Sequence, residues 1–186
     1  MKAAIVLLAD YKVQNFVRRM VVELNQKYQV SFFASHLPVH VSLKQPFSFE
    51  NLGKLENYFD NLATRISPLE IKLNGIYYSE WDGFGILGLN VIETSSLRTM
   101  HNQINFELTN VVKDPSAPHD GKDYHFHMTI ELGKVVGKNP YRDYFDHIQN
   151  KDIKLSFLAK EIALFYYPNE DTNFFFNYKT LPLHLS

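Results

Sequence analysis

A single order of elements, strand, helix, strand, helix, strand, can be read twice in succession along the 186 residues, and this repeat restricts the fold more than any other feature. Ala3 to Leu8 is an apolar run of strand length. Val13, Phe16, Val17, Met20, Val21, Leu24 and Tyr28 then recur at helical spacing. Val39 to Lys44 alternates as a strand, and Ser48 is placed to cap a helix striped by Leu52, Leu55, Phe59, Leu62 and Ile66. Pro68 ends that helix, and Leu69 to Ser79 returns as a strand. The second pass begins with a strand over Phe84 to Ile92, weakened by Gly85 and Gly88. Thr94 to Ser96 offer caps for a helix striped by Leu97, Met100, Ile104, Leu108 and Val111. Tyr124 to Leu132 alternates, Asn139-Pro140 starts a helix that buries Tyr141, Tyr144, Phe145 and Ile148, and Leu155 to Tyr167 and Asn173 to Leu183 close as strands.

The two passes also agree in register. His40 and His127 lie 87 residues apart in the central strands, and Tyr77-Tyr78 recurs as Tyr166-Tyr167 after 89 residues. That period is too long for a solenoid and implies a tandem duplication with two lobes about a pseudo-twofold axis. The expected fold is therefore α+β and bilobal, with two antiparallel sheets and flanking helices around a central cleft. It forms a single domain over residues 1–186, with lobes over roughly 1–80 and 81–186, allowing for exchange of terminal strands.

Bulk composition narrows the function. A formal charge of −1 with scattered Lys and Arg argues against coating long duplexes, and favours a small nucleotide or an RNA end as the phosphate partner. The 15 Phe and 11 Tyr suit β structure and flat surfaces for bases. Absence of cysteine excludes disulfides, thiolate metal sites and cysteine nucleophiles. The first ten residues read as a buried strand, too short for a spanning helix and unlike a signal peptide, so a cytoplasmic protein without a membrane or protein partner, and a monomer, is expected.

In a strand, alternate residues share a face. His40, Ser42 and Lys44 should therefore point one way with Val39, Val41 and Leu43 behind, and His125, His127, Thr129 and Glu131 likewise with Tyr124, Phe126, Met128 and Ile130 behind. Each strand offers an imidazole beside a hydroxyl on a rigid support. The segments His40-Val41-Ser42-Leu43 and His127-Met128-Thr129-Ile130 both match His-hydrophobic-Ser/Thr-hydrophobic, the paired signature of the two-histidine (2H) phosphoesterases. The chain resembles their 2′-5′ RNA ligase-like and cyclic nucleotide phosphodiesterase branch in length, lobe order and motif placement. The resemblance implies a bilobal fold, a metal-independent reaction, and substrates such as 2′,3′-cyclic phosphates or 2′,5′-linked oligonucleotides. Two departures stand out: Glu131 holds a position where some relatives carry a basic residue, and the first motif continues Lys44-Gln45-Pro46-Phe47.

The chemistry is consistent. Opening a cyclic phosphate needs one group to deprotonate water and another to protonate the leaving sugar oxygen, on opposite sides of phosphorus. Imidazoles serve because both protonation states are accessible near neutrality. His40 and His127 are the expected catalytic pair, with Ser42 and Thr129 donating to the non-bridging oxygens. Lys44, His125, Tyr78 and Tyr167 are further candidates for substrate contact. Glu131, unfavourable beside an anion, is expected to orient His127 or to pair with a lysine. His125 and His127, with His119 and Asp120 nearby, would also suit zinc, but neither a metal nor another cofactor is expected. His36, His101, His147 and His184 show no partner pattern and are assigned to the surface. Trp81 is read as a lid or a lobe-linking wedge. The competing class is a binding module that holds RNA or a nucleotide without turning it over, and a third option is ligation, the same chemistry run backwards.

Overall fold

The computed structural model describes residues 1–30, 32, 34–118, 120–167 and 175–184. Its strands are β1 (Lys2–Leu8), β2 (His40–Ser48), β3 (Leu69–Trp81), β4 (Phe84–Val91), β5 (His127–Lys134), β6 (Lys154–Ala159), β7 (Glu161–Tyr167) and β8 (Phe176–Pro182). The helices are α1 (Tyr11–Tyr28), α2 (Leu52–Arg65), α3 (Ser95–Leu108) and α4 (Pro140–Ile148). The strands form two four-stranded sheets, β2-β1-β7-β8 and β5-β4-β3-β6, with every pairing antiparallel.

The helices start where side chains can satisfy the orphaned N–H groups of a first turn. Asp10 accepts from the Val13 N–H, Thr94 from that of Leu97, and Asn139 from that of Arg142 with Pro140 in the first turn. The cap of α2 is Asn51, which accepts from the Lys54 N–H, rather than Ser48, which ends β2. The apolar stripes of the helices merge with the inner faces of both sheets into one contiguous core, from Ile5 and Leu7 through Phe59 and Leu87 to Met128 and Tyr144. Among the described residues no helix is long and apolar enough to cross a membrane.

The sheets do not part the chain at residue 80. β3 follows α2 yet joins the second sheet, where it forms a hairpin with β4, while β7 and β8 return to the first. The first sheet thus draws on β1, β2, β7 and β8, and the second on residues 69–159. The apparent strand Leu155 to Tyr167 is two strands that change sheets at Lys160. Of the expected last strand, β8 covers Phe176–Pro182, and Asn173 lies outside the described residues. The β3–β4 turn uses Asp82 and Gly83, both at positive φ (49° and 74°), the two-residue geometry that matches strand twist. Trp81 sits at that hairpin tip, 59% exposed.

Candidate active site

β2 and β5 are the edge strands of their sheets and approach each other with Cα atoms within 8 Å. Both carry the same irregularity. On β2, Ser42 lies opposite Val6 and Lys44 opposite Ile5, so Leu43 is the extra residue of a β-bulge. On β5, Thr129 lies opposite Gly88 and Glu131 opposite Leu87, so Ile130 is the extra residue. The bulge breaks strict alternation after the hydroxyl residue. His40, Ser42, His127 and Thr129 are half-buried on one face, whereas Lys44 and Glu131, four residues beyond their histidines, turn inward and are 1% and 0% exposed.

Those two buried charges have partners in the opposite lobe. Lys44 Nζ donates to Asn105 Oδ1 at 2.8 Å and forms an ion pair with Asp120, in the loop leading into β5. Glu131 accepts from the Ala34 N–H at 2.5 Å and from the Ser35 hydroxyl at 3.0 Å, in the 3-10 turn Ala34–His36 leading into β2. Each motif strand therefore holds the entry to the other. Lys44 is turned into the interior, a correction to its expected place beside the phosphate, and among the described residues Glu131 bonds to neither His127 nor a lysine. Burial pushes the Glu131 carboxyl up, against the pull of its three hydrogen bonds from Ala34, Leu132 and Ser35.

The two histidines are oriented alike. His40 Nδ1 lies 2.8 Å from the Pro38 carbonyl and His127 Nδ1 lies 2.9 Å from the His125 carbonyl, in each case two residues back. A carbonyl only accepts, so each Nδ1 carries the proton and each Nε2 remains for chemistry. Burial, opposed by the Pro38 carbonyl and aided by the like charge of His127, lowers the His40 pKa to about 4. The rings are thus within electrostatic reach of each other. His127 is also pushed below the usual imidazole range, chiefly by burial, with the His125 carbonyl opposing.

Aromatic rings brace both imidazoles. Phe165 meets His40 edge-on at 4.8 Å between centroids, and Tyr77 lies 5.4 Å from His127 and 5.3 Å from His125. Gly88 makes room for Tyr77, since a Cβ there would come within 2.8 Å of the Met128 carbonyl and 3.1 Å of the Tyr77 ring.

The profile of the 2′-5′ RNA ligase superfamily matches residues 10–171. The chain belongs to that superfamily. Among solved structures, this 2H phosphoesterase superimposes on TT0787 of Thermus thermophilus with a TM-score of 0.63 at 10% identity, covering 98% of both chains. Escherichia coli LigT complexed with ATP gives a TM-score of 0.59 at 15% identity, covering 99% of this chain and 98% of the other. Usb1 of Kluyveromyces marxianus gives 0.53 at 16%, covering 98% of both. Comparison with curated protein sequences finds no match.

Within this superfamily fold the other candidates separate. Tyr78 points to the α4 side, where its hydroxyl donates to Glu80 and accepts from Asn139, so the tyrosine beside the cleft histidines is Tyr77. Tyr167 is two residues beyond Phe165 on the same face of β7, with its ring 5.0 Å from Phe175. His125 precedes β5 and is exposed, with Nε2 3.2 Å from Asn90 Oδ1 and its ring stacked parallel to that of His127. Of the residues that would suit zinc, Asp120 is engaged by Lys44 and His119 lies outside the described residues. No group of three His, Asp or Glu suited to a metal occurs among the described residues.

His101 and Tyr124 follow no motif in the sequence, and both join the lobes. His101 is fully buried rather than on the surface, with Nδ1 2.8 Å from the Leu43 carbonyl and its ring stacked on Tyr124 at 4.6 Å. The Tyr124 hydroxyl reaches the Ser42 carbonyl at 3.3 Å and accepts from Gln45. The position of Tyr124 just before a motif strand is the one signal that points to it.

Proposed function

We propose that this chain is a metal-independent phosphodiesterase acting on 2′,3′-cyclic phosphate or 2′,5′-linked nucleotide and RNA ends. The observation that carries the reading is the matched pair of Nδ1–carbonyl bonds, which leaves two Nε2 atoms beside two hydroxyls on facing edge strands. A water oxygen attacks phosphorus while one Nε2 takes its proton. The other imidazole, protonated at Nε2, gives its proton to the departing sugar oxygen as the P–O bond breaks. Ser42 and Thr129 donate to the non-bridging oxygens, where charge accumulates. The His40 pKa of about 4 suits the base, since it stays neutral throughout the physiological range, and leaves His127 as the acid. A bound phosphate anion favours protonation of His127 by its own charge. That LigT is described in complexes with 3′-AMP, ATP and phosphate supports nucleotide phosphates as the ligand class.

The test is turnover of nucleoside 2′,3′-cyclic monophosphates, cyclic-phosphate-ended RNA and 2′,5′-oligoadenylate with EDTA present, with products identified by mass spectrometry. His40→Ala and His127→Ala should each lower the rate by about 10²–10⁴. Absence of turnover on every substrate, or unaltered rates in both variants, would overturn the reading.

A further inference from the structure

The outer face of α1 carries Tyr11, Lys12, Asn15, Arg18, Arg19 and Val22, spaced so that all project on one side of the helix. They line an open groove whose far end is Glu23, already engaged by the Tyr144 hydroxyl at 3.1 Å. None of the three cations has a carboxylate partner among the described residues, whereas Lys44, Arg65, Lys72, Arg98, Lys154 and Lys179 each do. Three unpaired positive charges on two turns of a chain of net charge −1 repel one another, and an anion would relieve that repulsion.

The groove borders the candidate active site through Arg18. Arg18 also lines a small crevice, about 20 Å³, whose other walls include His40, Thr129 and the Ala34–Ser35 turn. Lys12 to Arg19 spans about 10 Å along the helix, and the helix begins just after Leu8 and Ala9, which pair with His40 and Val39. Tyr11, the first residue of the helix, is 70% exposed and offers its ring to solvent. Cations that track a backbone together with an exposed aromatic are the elements of a single-strand site.

We propose that α1 is a landing ledge for a single-stranded oligonucleotide whose terminal phosphate occupies the cleft, with Lys12, Arg18 and Arg19 on its backbone phosphates and Tyr11 stacked on a base. The identity of the occupant rests on the phosphodiesterase reading, while the ledge itself rests on its charge and on Arg18, which lines both the groove and the crevice beside His40. The substrate class is then an RNA end rather than a free mononucleotide.

The experiment is fluorescence anisotropy of a 5′-labelled RNA octamer ending in a 3′-phosphate, titrated across salt. Replacing all three cations (K12Q/R18Q/R19Q) should flatten the slope of log Kd against log salt by about 2, at roughly 0.7 per cation. Kd at low salt should weaken by about tenfold or more, and K12R/R18K/R19K should restore both. An unchanged slope, an equal loss in a control variant with Lys54, Lys151 and Lys160 changed to Gln, or tighter binding of phosphatidylserine vesicles than of RNA overturns the proposal. Turnover of a cyclic mononucleotide by the unaltered protein reads the phosphodiesterase function separately. Salt-dependent RNA binding without turnover would sink the catalysis and leave the ledge.

Discussion

Replacing Lys44 by methionine isolates the tether between the lobes, because it keeps the shape of the stem and removes the ammonium. In the native protein that ammonium is 1% exposed and serves Asn105 Oδ1 and the Asp120 carboxylate, itself 10% exposed. Removing one partner of a buried pair costs about 3–5 kcal/mol, because the other charge is left without compensation. Among the described residues Asp120 Oδ1 already has no hydrogen-bond partner, so the stranded carboxylate has little local recourse. Its residual exposure lets some water in, which places the expected loss near the lower end, about 3 kcal/mol. With a urea slope of about 2 kcal/mol per molar, the midpoint should fall by about 1.5 M with the slope unchanged. A fold of ordinary stability survives such a loss.

Lys44→Met combined with Asp120→Asn removes both charges and should recover part of the loss, with a coupling of at least about 1.5 kcal/mol. The functional consequence is separate. With the loop before β5 released, kcat should fall more than KM rises, because His127 loses its registration against His40 without loss of a substrate contact. A midpoint shift below about 0.5 M, or strictly additive single and double variants, would refute the view that the pair clasps the lobes.

Acidification tests the buried imidazole. His40 titrates near 4 when folded and near 6.5 when unfolded, so between these values the unfolded chain binds the extra proton and stability rises with pH. Going from pH 7 to pH 4 should remove about 2–3 kcal/mol through His40 alone, and a urea series on His40→Asn should show that much less slope. The acid limb of kcat/KM should lie near pH 4 rather than near 6.5; a limb at 6.5 would exclude His40 as the base. Gly88→Ala should destabilise by about 1–3 kcal/mol, since the Met128 carbonyl cannot yield easily, and should push Tyr77 off His127; an unchanged melting temperature would contradict the packing. Glu131→Gln keeps an acceptor for the Ala34 N–H and should cost less in urea than Glu131→Ala, which strands all three donors.

The sequence discloses those parts of this site that obey a local period, and hides those set by a departure from it. His40, Ser42, His127 and Thr129 are readable because alternation runs undisturbed from the histidine to the hydroxyl. Lys44 is misplaced by alternation because the bulge at Leu43 adds one residue, and a one-residue slip sends a side chain to the other face. The caps Thr94 and Asn139 are readable from their own chemistry, whereas Ser48 loses the role to Asn51 because β2 continues to pair with β1 as far as Ser48. Tyr78 is the wrong member of its pair because a period of two divides a strand into faces without saying which face meets the cleft, and Gly88 on the neighbouring strand makes that choice in favour of Tyr77.

A signal for the bulges is nevertheless present. Lys44 and Glu131 stand at the same distance after their histidines, opposite in sign, and each is preceded by a residue that must be apolar for the core. Two charges at one register of the two motif strands invite a buried role, and opposite signs exclude a shared phosphate contact. The structure gives each charge a partner in the other lobe, so the asymmetry at that register is what lets two similar lobes clasp heterologous loops. The hydroxyl and imidazole positions remain alike because the phosphate they are proposed to hold presents equivalent oxygens to both sides. Exchange of the two charges (Lys44→Glu with Glu131→Lys) sets each against the wrong loop, an ammonium facing the Ala34 N–H and a carboxylate facing Asp120. Such a protein should fail to fold, and a folded, active double exchange would show that the lobes are held by something else.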